Sequence, residues 1–118
     1  MVQGLNAESA AQLNAGLARV RERFVSSLSD RVDDFYDLLG DLQEEQDWLD
    51  ACADLRARAH KLHGICGSVG FPEIGEKAAS LEAKIDSLGS ELQREDIDDV
   101  RCFLNSLLDE MEQNLDAA

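Results

Sequence analysis

Residues 55–71 read LRARAHKLHGICGSVGF, and their phase decides how the chain folds. Leu55, Ala59, Leu62, Cys66 and Val69 recur at helical spacing, and Trp48 and Cys52 extend the same side upstream. This predicts an amphipathic helix from about Asp47 to Val69. On a wheel of about 100° per residue with His60 at the origin, the apolar set spans roughly 180° to 280°. Gly64 and Gly67 fall at roughly 40° and 340°, Arg56 and His63 at roughly 320° and 300°. His60 therefore points away from the core, and the residues one and two turns beyond it have no side chains.

The same seventeen residues contain no acid. The chain has 118 residues and a formal charge of −14. Before the window stand 4 basic and 12 acidic side chains, after it 4 and 13, and within it 3 and none: Arg56, Arg58 and Lys61. A basic, histidine-bearing segment on an acidic body suits a negatively charged ligand, a phosphoryl group or an acidic partner surface. The acidic balance argues against nucleic acid, whose phosphates most of this surface would repel. No apolar run approaches the roughly 20 residues of a membrane span, and the N-terminus lacks the basic start and apolar stretch of a signal peptide. A cytoplasmic protein is expected. Cys52, Cys66 and Cys102 form no CxxC and leave one unpaired after any pairing, which reads as reduced, mostly buried thiols. Cys66 near His63 is the candidate for a nucleophile, but its phase is apolar.

Outward from the window, every segment reads as helix. From Leu17 an apolar stripe runs through Val20, Phe24, Leu28, Val32, Phe35 and Leu39, with Asn6 able to cap its start and Gly40 placed just after its end. The leading section, residues 7–16, is expected to kink near Gly16 or to fold over one end as a short extra N-terminal helix. Residues 41–47 read as a loop or frayed turn. After Gly70 and Phe71, Pro72 suits the first turn of a third helix, whose seam is Ile74, Ala78, Leu81, Ile85 and Leu88; Gly89 ends it. Ser90 with Gln93 resembles a capping box for a fourth helix, which turns Ile97, Val100, Leu104, Leu107, Met111 and Leu115 inward. The expected fold is all-α, an antiparallel up-and-down four-helix bundle forming one domain over residues 1–118.

Each mid-helix glycine costs roughly 1 kcal/mol relative to alanine. Two of them on the side of an outward histidine point to something that must approach that imidazole closely. The segment Ala59-His60-Lys61-Leu62-His63-Gly64, continuing through Gly67 and Gly70 to Leu81-Glu82, resembles the signature of histidine-containing phosphotransfer domains.

The resemblance implies a phosphorelay intermediate: His60 accepts a phosphoryl group from a receiver-domain aspartate and passes it to another receiver. Arg56, Lys61, Gly64, Gly67 and Ser68 would meet that partner. His63 stands where the family usually has lysine, beside the phosphoryl oxygens. No cofactor is expected on this chain, and Mg2+ would come from the partner receiver. Response-regulator receivers and a hybrid histidine kinase are the expected partners, with neither nucleic acid nor membrane, and the chain is expected to be a monomer. No P-loop, nucleotide loop or serine–histidine–acid set suggests an enzyme acting alone. Met1 favours a free-standing shuttle over a kinase fragment. Two rivals remain at this stage: a phosphotransfer-like fold used only for binding, and chelation by His60 and His63, which lacks further ligands and finds no carboxylate in the acid-free window.

Overall fold

The computed structural model describes residues 7–43 and 48–117, with side chains over 11–43 and 48–115. Four helices follow one another: α1 (Ala7–Asp41), α2 (Trp48–Val69), α3 (Pro72–Asp86) and α4 (Arg94–Ala117). Each packs on the next, and α1 closes the ring against α4. The expected bundle is formed.

Its core is the set of stripes the helical period picks out. Leu28, Leu55, Leu62, Leu81, Leu104 and Met111 are fully or almost fully buried, and no polar or charged residue is buried with them among the described residues. Two glycines shape the α2–α3 corner that carries the site. Gly70 adopts φ 81°, the left-handed conformation that ends a helix cheaply only at glycine. Its N–H and that of Phe71 both donate to the Cys66 carbonyl, at 3.1 and 3.3 Å. Pro72 then opens α3 at its first turn. Gly75 is buried, and a Cβ placed on it would stand 3.1 Å from the Cys66 Cβ. A hydrogen at that position lets α2 and α3 approach closely.

Four expectations are corrected. The short extra N-terminal helix does not form. α1 runs unbroken through Gly16, because alanine, leucine, glutamine and arginine around it are strong helix formers and one glycine costs only about 1 kcal/mol. Gly40 lies inside α1 rather than beyond it, and Leu42, bonded to the Leu38 carbonyl at 3.1 Å, belongs to the core. The cap of α4 sits three residues later than expected. Gln93 precedes the first turn, and its N–H donates to the Asp96 carboxylate at 2.9 Å, the reciprocal half of a capping box built from Gln93 and Asp96. The Asn6 cap and residues 44–47 lie outside the described residues. Leu17 and Val20, assigned to the buried stripe, are 49% and 45% exposed; burial on α1 begins at Phe24.

Candidate functional site

His60 projects from the middle of α2 with 70% of its side chain exposed. Its Nδ1 lies 2.8 Å from Oε2 of Glu82, on α3, whose own side chain is only 14% exposed. A carboxylate can only accept, so Nδ1 carries the proton and donates it. A neutral ring so held has one tautomer, with Nε2 unprotonated and turned outward.

Glu82 does not act alone. Arg56 Nη2 stands 3.5 Å from the same Oε2, one turn before His60. Arg56 is held in turn by Asp86, through Nε to Oδ1 and through Nη2 to Oδ2 at 3.3 Å. Its guanidinium keeps the Asp86 carboxyl below the usual range, chiefly through that hydrogen bond. Arg56 and His60 are four apart on α2, and Glu82 and Asp86 are four apart on α3, so the two pairs interlock across antiparallel helices. The acid-free window is thus acid-free in sequence only. Glu82 and Asp86 meet it from α3, and Asp34 of α1 pairs with Arg58 at 3.3 Å. The absence of a nearby carboxylate, used above against chelation, is corrected. Among the described residues, though, no three His, Cys, Asp or Glu side chains are arranged to hold a metal ion.

The other expected site residues divide into those near His60 and those apart from it. Gly64 and Gly67 are exposed, and a Cβ on either would meet nothing within 4 Å. They leave open surface beside the imidazole. His63 leans toward α3, its Cδ2 3.9 Å from a Cβ built on Gly75, and lines a shallow hollow with Gly67, Gly70, Pro72 and Ala79. Lys61 is turned to the other flank, where it lines a groove with Arg31, Phe35 and Arg58. Ser68 is exposed in the last turn of α2. Cys66 is buried, and desolvation pushes its thiol up to about 11, which removes it as a nucleophile near neutral pH. Cys52 is likewise buried and raised, and Cys102 is exposed, so the three free thiols are mostly buried, as expected.

The family model of the Hpt domain matches residues 19–118. The chain belongs to the Hpt domain family. Hpt domains are phosphocarrier modules of phosphorelays, not kinases, and they interact with receiver and kinase domains. No curated protein and no solved structure matches the chain. No helix among the described residues is long and apolar enough to cross a membrane.

The residue that sequence reasoning passed over is Glu82. It was quoted within the family-like segment yet given no role. The signal was available: an acid pair at i, i+4 on one helix opposite an arginine–histidine pair at i, i+4 on its neighbour.

Proposed function

We infer that this Hpt domain carries phosphoryl groups between two receiver domains, with His60 as acceptor and donor. The observation that supports this most directly is the 2.8 Å contact between His60 Nδ1 and Glu82 on an imidazole otherwise open to solvent. The Nε2 lone pair attacks the phosphorus of a receiver's aspartyl phosphate. The N–P bond forms as the P–O bond to aspartate breaks, and aspartate leaves as a carboxylate. The ring gains positive charge in that step, and Glu82 lies beside the Nδ1 proton that carries it. The reverse sequence delivers the group to a second receiver. Receivers supply the aspartate and Mg2+; this chain supplies a nucleophile of fixed tautomer on a surface that Gly64 and Gly67 keep low. His63, at the family's lysine position, donates a hydrogen bond to a phosphoryl oxygen. The setting is a cytoplasmic two-component system in which a hybrid histidine kinase supplies the first receiver.

Incubating the protein with labelled phospho-receivers of its host tests this. His60→Gln should abolish acid-labile labelling while leaving helicity and melting nearly unchanged, because an exposed side chain contributes little stability. Undiminished labelling of that variant would sink the assignment. A wild-type protein that binds receivers but is never labelled would instead make this a binding module.

A further inference from the structure

α1 is much longer than the bundle it belongs to. Its 35 residues span about 52 Å, against about 33 Å for the 22 of α2. It first meets the rest of the molecule at Arg21, which reaches the Val69 carbonyl at 3.4 Å and lies over the Phe71 ring. Phe24 follows, its ring 5.1 Å from that of Phe71. The part of α1 before this floor projects beyond the bundle, and on that projection Leu13, Leu17 and Val20 are 52%, 49% and 45% exposed. Their spacing of four and three continues the stripe that Phe24 and Leu28 bury lower down. Four-three spacing is the seam of a coiled coil, whereas a helix ending in solvent has no use for a regular apolar line. The family match begins only at Arg19, so the Hpt fold does not account for Leu13 or Leu17.

The charge pattern indicates what covers the seam. Arg19, Arg21 and Arg23, with Glu22 among them, give the body end of the projection a net +2, whereas between Ala7 and Ala18 the only charged residue is Glu8. Parallel pairing of two projections would set arginines against arginines and place two bodies of net charge −14 at the same end. Antiparallel pairing sets each arginine run beside the other copy's nearly uncharged run and sends the acidic bodies to opposite ends. The length also fits. With Leu13 of one copy level with Leu17 of the other, the start of each helix at Ala7 reaches only to Arg23 of its neighbour, just short of the Phe24–Phe71 floor. We propose that the projection of α1 is a self-association helix through which two copies of this chain pair antiparallel. Leu13 of each copy packs against Leu17 of the other. This replaces the expectation of a monomer.

The seam is short, so the dimer is weak and depends on concentration. Sedimentation velocity from about 1 to 300 µM should show the mass rising from 13.0 kDa toward twice that value. Leu13→Glu combined with Leu17→Glu should stay monomeric over the whole range, with unchanged circular dichroism per residue and unchanged labelling of His60 by phosphoramidate. That labelling separates loss of the dimer from loss of phosphotransfer. Wild-type protein that is monomeric at the highest concentration overturns the proposal, as does a dimer that survives the double substitution. Orientation is read in a Cys102→Ser background by mixing Leu13→Cys with Leu17→Cys protein under mild oxidation. Cross-links between unlike chains should predominate, and a predominance of like-chain cross-links overturns the antiparallel arrangement.

Discussion

Gly64 lies on the exposed face of α2 and Gly75 in the buried contact between α2 and α3, and adding one methyl group to each should move stability in opposite directions. At Gly64 the new Cβ meets nothing within 4 Å, so the only effects are helix propensity and lost freedom in the unfolded chain. Gly64→Ala should therefore stabilise by about 0.5–1 kcal/mol, or roughly 2–5 °C in Tm for a domain of this size. At Gly75 the Cβ would sit 3.1 Å from the Cβ of Cys66, an atom fixed to the α2 backbone that cannot swing aside. The helices must separate or the side chains around Cys66 must shift, at a typical cost of about 1–3 kcal/mol, offset by up to about 1 kcal/mol of propensity. Gly75→Ala should lower Tm, by up to roughly 8 °C. Thermal unfolding followed by circular dichroism reads both. The functional half of the test is Gly64→Leu, which should fold normally yet accept phosphoryl groups from receivers at least about tenfold more slowly, while labelling by phosphoramidate falls much less. A destabilised Gly64→Ala would mean that the glycine serves packing. Normal exchange of Gly64→Leu with receivers would refute the clearance argument.

Further outcomes follow from the polar network and the thiols. Glu82→Gln removes the obligate acceptor at Nδ1, so both ring tautomers become available; labelling by receivers and by phosphoramidate should slow together by roughly tenfold, and equal rates would show the contact to be incidental. His63→Lys should preserve transfer, because lysine also donates to a phosphoryl oxygen, whereas His63→Ala should slow it several-fold; equal rates for all three proteins would make His63 a bystander. In native protein near pH 8 a thiol reagent should titrate Cys102 rapidly and Cys52 and Cys66 slowly, with all three reacting in denaturant. Because the Cys66 thiol is raised from 9.0 to about 11 in the fold, its contribution to stability is complete below about 9 and disappears as pH rises through about 11. Cys66→Ala should accordingly reduce the loss of stability over that alkaline window, measured by denaturant unfolding at fixed pH.

The stripes of α2, α3 and α4 were legible because each depends only on the helical period and on residues close in sequence. Cys52, Leu55, Ala59, Leu62, Cys66 and Val69 were all placed inward, and all are buried. The exposure of Leu17 and Val20 was not legible, because spacing identifies the face a helix offers to a partner and says nothing of where its own bundle stops. The start of α4 differs because Ser90 and Gln93 fit the residue rule for a capping box, whereas the turn that forms uses the Gln93 N–H and the Asp96 carboxylate, a pair that rule does not select. The histidine and its flanking glycines were readable from the wheel of one helix. Their polar support was not, since the pairing of His60 with Glu82 depends on the register of α2 against α3. That register is fixed by the turn at Gly70–Pro72 and by the close approach at Gly75, neither of which is encoded within α2.

This register also changes how attraction to a partner should be understood. The sequence window has a charge of +3, which suggests a positive landing site for an acidic receiver. In the fold, Arg56 is held by Asp86 and Glu82, and Arg58 by Asp34, while Lys61 faces away toward α1. Exposed pairs of this kind have small net energies, but they cancel the local field that two free arginines would project. Long-range attraction toward His60 is therefore weak on a body of charge −14, and docking must rest on short-range fit against the glycine surface and the hollow beside His63. Moderate salt should then leave receiver association unchanged or slightly faster, because it screens repulsion between two acidic proteins. A steep loss of transfer rate on raising ionic strength from about 20 to 200 mM would show instead that the window's cations steer the partner.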